Sequence, residues 1–281
     1  LVSEILPKQL RAIGTSLVAG IGLLGAIVAY FTVELFDWRY AYFIGGGLGI
    51  SLLLLRIGVF ESGIFKDLKE QKHIEKGNFF SLFTNKDRLQ RYLKCIGIGL
   101  PTWFVIGILA TFSNEFGAAL GIEEGVKPGL SIMWCYVGLS IGDFCSGFLS
   151  HWLSSRKKAV FYMMLFTLVF TGVYFYTGID KASTLYMVLV LLGFGIGYWA
   201  MFVTIGAEQF GTNLRATAAT TVPNMVRGTV VGMTTLYALF KDMGSVISAG
   251  MLVGVICFAI GLYCIQTIPE THGRDLDFLE E

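Results

Sequence analysis

Crossing a hydrocarbon core takes roughly 20 residues of helix at about 1.5 Å each, and this requirement constrains the chain more than any other feature. Uncharged runs that meet or approach that length are Ala12–Val33, Tyr40–Leu55, Cys95–Asn114, Ala159–Ile179, Ala182–Ala207 and Met243–Pro269. Two more qualify with one internal charge each: Pro128–Ser150, interrupted by Asp143, and Ala216–Phe240, interrupted by Arg227. That predicts eight transmembrane helices. None of the runs alternates polar and apolar residues as a membrane barrel strand does, so helices satisfy the backbone in lipid. The first run is too long for a cleavable signal and lacks a small-residue cleavage site.

Composition agrees with this reading and closes off other classes. Of 281 residues, 54% are hydrophobic and only 15% charged, against about 25% charged in a soluble domain. Such a chain is neither disordered nor able to cover its surface in water. A balance of 21 basic and 20 acidic residues marks no nucleic-acid partner. The five cysteines sit in apolar runs without a CxxC pair and read as small hydrophobes, so neither a disulfide frame, a metal site nor a cofactor is expected. His73 and His272 read as solvated loop residues. With histidines scattered singly, no catalytic cluster forms at either membrane face, and an enzyme is not expected. A channel would need a filter loop or pore-lining repeat, and neither is visible.

With eight spans, both ends and alternate loops share one side. That side carries sixteen of the 21 basic residues, and four (Arg39, Lys127, Lys181, Lys241) lie on the other. The bias predicts a multi-pass plasma (inner) membrane protein with both ends cytoplasmic. The predicted organisation is the end of an N-terminal bundle over 1–59, a central cytoplasmic loop over 60–94, a six-helix bundle over 95–268 and a cytoplasmic tail over 269–281.

The chain also repeats itself. Glu4, six residues, then Leu10-Arg11-Ala12 lines up with Glu208, six residues, then Leu214-Arg215-Ala216. Phe60-Glu61-Ser62-Gly63 after the second span parallels Pro269-Glu270-Thr271-His272-Gly273 after the last. Spans one and two therefore correspond to spans seven and eight in the same orientation, a parallel repeat of six helices. On that count four helices are expected ahead of residue 1, and the chain is expected to be a fragment.

These residues resemble the major facilitator superfamily, near its sugar porters and metabolite–proton symporters. Glu4-x-x-Pro7-Lys8-x-Leu10-Arg11 is similar to the signature between that family's helices four and five. Glu208 to Arg215 is similar to its twin between helices ten and eleven. Trp38-Arg39 resembles the pair that opens helix six, and Pro269-Glu270-Thr271-x-Gly273-Arg274 the motif after helix twelve. The resemblance implies an all-α membrane protein whose eight helices correspond to helices 5–12 of a twelve-helix fold.

Departures from the pattern narrow the class. Where the family has G-x-x-x-D-R-x-G-R-R, this chain has Gly147, then His151 and Trp152 in place of Asp and Arg, and ends on Arg156-Lys157. The paired glutamines of sugar porters are missing from Cys95–Asn114. The resemblance thus implies a secondary active transporter for a small metabolite, an organic anion or sugar-like solute, by alternating access with proton coupling. It also implies a monomer at full length. A transporter-derived receptor or sensor and an uncoupled facilitator are the alternatives.

A charge inside a span costs about 2.5–3.5 kcal/mol on insertion scales, so Arg227 and Asp143 are the first candidates. Arg227 lies about 18 Å along a helix from Arg215, near mid-membrane, with Asn224 a turn away on the same face. Its guanidinium could hold a carboxylate or phosphate through parallel hydrogen bonds, or pair with a carboxylate of the bundle. Asp143 reads either as a proton carrier or as a packing carboxylate beside Gly142 and Gly147, at the interface with the first span. Trp103 near Pro101, and Tyr198-Trp199 in the bendable Gly193-x-Gly195-x-Gly197 stretch, are the cavity-lining aromatics that the resemblance implies. By the same resemblance Glu4, Arg11, Glu208, Arg215, His151 and Arg156 form a cytoplasmic gate, and Asn114 and Glu115 an outer one.

Overall fold

In the computed structural model the described residues are 11–57, 77–176, 178–274 and 278–280. Glu4, the Arg11 side chain, residues 60–76 of the central loop and the Phe60–Gly63 motif lie outside the described residues.

The helices run α1 (Arg11–Leu23), α2 (Gly25–Leu35), α3 (Trp38–Arg56), α4 (Ser81–Thr84), α5 (Lys86–Phe104), α6 (Ser113–Ala119), α7 (Pro128–Trp152), α8 (Arg156–Tyr176), α9 (Ala182–Ile196), α10 (Trp199–Glu208), α11 (Thr212–Met243) and α12 (Val246–Thr267). Among the described residues there is no strand. Among those same described residues seven helical stretches are long and apolar enough to cross a membrane. The predicted span outside that set is the seventh, α11, a continuous 32-residue helix whose threonines, Arg227 and Asn224 lower its hydropathy.

Three spans differ locally from expectation. The first is two helices, α1 and α2, meeting at Leu24. The third begins at Lys86, inside the stretch read as loop. Asn85 caps it, its side-chain oxygen accepting from the Asp87 N–H at 2.8 Å, so the helix starts well before its apolar run. Past Pro101 it widens into a π-helical turn, Val105–Ala110, a distortion that concentrates at functional sites. The sixth span breaks at Gly197-Tyr198 into α9 and α10. By contrast, α11 runs unbroken through Pro223.

The buried core lies among α4 to α12, in two apolar clusters built around Phe104, Phe116 and Leu189, and around Tyr92, Met201 and Phe210. Helices α2 and α3 bury no residue; their leucines and phenylalanines face outward, as suits a hydrocarbon surround. The tightest pairing is α7 against α9, and α1 also packs on α7. Four glycines allow it. A Cβ at Gly138 would overlap the Val190 carbonyl oxygen, one at Gly142 that of Phe194, one at Gly193 that of Cys135, and one at Gly197 would lie 2.6 Å from the Asp143 nitrogen. Spaced by four on each helix, they form one small-residue seam.

Candidate functional site

The distorted helix α5 and the broken helix α9–α10 present their irregular turns to the same region as Arg227. Trp103 sits on α5 two residues after Pro101, and Trp199 is the first residue of α10. Their rings meet edge to face with centroids 6.1 Å apart. The Arg227 guanidinium lies 5.8 Å from the Trp103 ring centre and 5.6 Å from that of Trp199, within the range of a cation–π contact. Its Nη1 donates to Asn224 Oδ1 at 2.8 Å, and Asn224 Nδ2 donates in turn to the Thr220 carbonyl at 3.0 Å. The turn between Asn224 and Arg227 predicted from sequence thus exists, and it aims the guanidinium at the aromatic pair.

Trp103, Trp199 and Arg227 border a cavity of about 90 Å³, completed by Leu23 of α1, Thr102 of α5, Ile106 of the π-helical turn, and Tyr136 and Leu139 of α7. Two features give it chemistry. Among the described residues Arg227 has no carboxylate within ion-pair distance. The Trp103 indole Nε1–H is buried and has no acceptor. A buried donor without a partner is costly, and here such a donor stands beside an uncompensated cation. A larger cavity of about 420 Å³, lined by Cys145, Phe148, Leu149, Trp152, Met163 and Phe194, is almost wholly apolar and offers no such pair.

Tyr198 does not face this cavity. It is fully buried, and its hydroxyl donates to the Ile98 carbonyl at 3.2 Å, tying the helix break to α5. Asp143 is also fully buried and turns to the same break, where its Oδ1 accepts from the Ala200 N–H at 3.0 Å. It faces α10, not the first span as expected. The reason is the glycine seam, which brings the α7 backbone so close to Gly197 that the next side chain reaches the α10 terminus. Against α1 it is Phe144 that packs, on Gly20.

At the Arg156 end of the bundle a second cluster forms. Arg156 and Glu208 are both all but completely buried and form an ion pair. Arg215, also buried, donates from Nη2 to Thr212 Oγ1 at 3.4 Å. His151 is exposed at the end of α7 and joins neither group. Glu270, quoted above only as part of a motif, holds this end together. Its carboxylate accepts from Ser155 Oγ and from the N–H groups of Arg156 (3.2 Å), Lys157 (3.3 Å), Thr271 (2.9 Å) and His272 (3.0 Å). It therefore caps α8 from beyond α12. Burial pushes the Glu270 carboxyl up, but these hydrogen bonds outweigh burial and hold it below the ordinary value. Its repetition as Glu61 in the other half was the available signal. Ser154, at the glycine position of the family's loop pattern, has φ +48°, the left-handed region that favours glycine.

Glu280 makes a further tie. It receives two parallel bonds from Arg91, at 2.8 and 2.9 Å, and exchanges two bonds with Asn213, both at 3.0 Å. Nothing in the local pattern of the tail pointed to it. At the opposite end, Glu115 accepts from Tyr237 Oη at 3.0 Å and Lys241 Nζ at 3.1 Å, clipping α6 to α11. Asn114 is exposed beside it.

Apolar crossing helices around a cationic, aromatic-lined cavity define a multi-pass membrane protein. The family model described as Major Facilitator Superfamily matches residues 1–237. The chain belongs to that superfamily, a family of membrane transporters that handle small molecules. No curated protein matches the chain closely enough to count as a relative.

Proposed function

We propose that this protein carries a small organic anion by alternating access, with Arg227 as the anion's counter-charge and Trp103 and Trp199 as the walls of its site. One observation carries this reading: a guanidinium beside a buried, acceptor-free indole N–H, with no carboxylate paired to it among the described residues. A carboxylate would satisfy both donors, and the guanidinium favours planar two-oxygen groups. A neutral sugar would leave the cation without a counter-charge. The cavity's 90 Å³ suits a solute of a few heavy atoms.

Proton coupling is part of the proposal, supported by the likeness of the signature residues to metabolite–proton symporters. So are a monomeric state, from the same likeness, and a place in the plasma membrane with the Arg156–Glu208 end cytoplasmic, an orientation supported by the sixteen-to-four basic bias. There the buried pair biases one state of the cycle against the other, and the Glu115–Lys241 clip marks the outer end.

The test is uptake of radiolabelled mono- and dicarboxylates into proteoliposomes, with and without an inward proton gradient. Saturable uptake of at least one anion is expected, accumulating only with the gradient. Arg227→Lys should raise KM about tenfold, the loss of one good charge-assisted bond, and Arg227→Gln should abolish uptake. Accumulation blind to the gradient would make the protein an uncoupled facilitator. Uptake undiminished in Arg227→Gln would overturn the site.

A further inference from the structure

We infer that Asp143 is a positioning residue that caps the N-terminus of α10 from the neighbouring helix and so sets where Trp199 stands beside Arg227.

A helix that restarts in mid-span exposes N–H groups that lipid cannot satisfy. The residue at the capping position of α10 is Tyr198, and it supplies no side-chain acceptor; its hydroxyl is engaged on α5. The acceptor comes from α7 instead. Asp143 Oδ1 takes the Ala200 N–H at 3.0 Å, and the Trp199 N–H faces the same carboxylate. These are the first two donors of α10. A carboxylate at that point also meets the positive end of the α10 dipole.

Only close contact of the two backbones permits this. Gly197 precedes the break, and a Cβ on it would lie 2.5 Å from Gly142 and 2.6 Å from the Asp143 nitrogen. The seam and the carboxylate thus work together: the glycines set the distance, and Asp143 sets the angle at which α10 leaves the break. Trp199, whose ring packs on Trp103 and Phe202, is fixed at the first turn of the helix so held. Asp143 does not line the cavity. It acts through Trp199. That Trp199 borders an anion site rests on the proposed function; the cap itself does not.

Charge and acceptor roles separate in one substitution. Asp143→Asn keeps an oxygen that can accept from Ala200 and discards the charge, whereas Asp143→Ala removes both. With the protein in lipid nanodiscs, hydrogen–deuterium exchange read by mass spectrometry on peptides covering 198–204 tests the cap without any substrate. In Asp143→Ala exchange there should quicken about tenfold, the worth of one helix cap, while α12 peptides stay at the parent rate. In Asp143→Asn the 198–204 peptides should remain close to the parent rate. Unchanged exchange in Asp143→Ala overturns the inference, as does exchange in Asp143→Asn as fast as a lost cap predicts. If the alanine protein does not fold, the asparagine protein carries the test alone, since its two outcomes still divide. Uptake assays bear separately on the anion reading, so a failure of one leaves the other standing.

Discussion

Replacing Gly142 by alanine inserts one methyl group into the crossing of α7 and α9. That methyl would overlap the Phe194 carbonyl oxygen and lie 2.9 Å from Gly197 Cα. Both neighbours are backbone, so no rotamer change relieves the clash, and the helices must part by about 1 Å in a close-packed interior. Overpacking of this kind costs about 1–3 kcal/mol. Parting also stretches the 3.0 Å bond from Ala200 to Asp143, and a buried group left without its partner costs about 1–3 kcal/mol. Better helix propensity returns only about 0.5–1 kcal/mol. The net loss is about 2–3 kcal/mol, which for a chain of this size lowers Tm by about 4–8 °C. The assay is thermal unfolding in detergent followed by tryptophan fluorescence, with Gly232→Ala as the control. Gly232 is also helical, but nothing lies within 4 Å of its Cβ position, so that variant should hold or slightly gain stability. Equal melting of the two variants would refute the seam as the determinant of the crossing.

Glu208→Gln should lower Tm by about 6 °C or more, because breaking a buried ion pair costs about 3–5 kcal/mol; the double variant Arg156→Gln/Glu208→Gln should lose less than the two single losses combined. Glu270 and Glu280 are both held below their ordinary value of 4.5, Glu280 because its Arg91 partner outweighs its burial. Their stabilising contribution is therefore complete above that value and lost as pH falls through the lower native values. Melting scans from pH 7 to 3.5 should show a plateau and then a fall below about pH 4.5, flattened in Glu270→Gln/Glu280→Gln. Ser154→Gly should raise Tm by about 1–2 °C, since a left-handed φ costs an L-residue about 1–2 kcal/mol and glycine's added chain entropy cancels only part of it; an unchanged or lower Tm would count against strain there.

Much of the site was legible because burial cost singles out residues. A lone arginine in an apolar run demands a reason, and Arg227 with Asn224 one turn away needed only helical periodicity to be paired. Trp103 and Trp199 were marked by the proline and glycines near them, which foretold the irregular turns that carry both. Tyr136 and Leu23 were not legible, being two apolar-run residues among many, and only packing selects them. Tyr198 was drawn toward the cavity by its neighbour in sequence, but consecutive residues at a helix start point to different faces. His151 was placed at the gate by alignment to a motif, and exposure at the end of α7 leaves it outside.

The sequence alone determined the membrane as solvent, the succession of long helices and the family, since run length, charge placement and ordered signatures are properties of the chain read one residue after another. What tertiary structure decided is which groups share a partner. Arg156 with Glu208, Glu270 with the start of α8, and Asp143 with the start of α10 each join residues from different segments of the chain. No periodicity encodes these pairings, the Glu270 one from a segment beyond α12 included, because they depend on how closely two backbones approach. At the α7–α9 crossing that approach is set by four missing side chains, and the absence of a Cβ becomes informative only once the helix it faces is known.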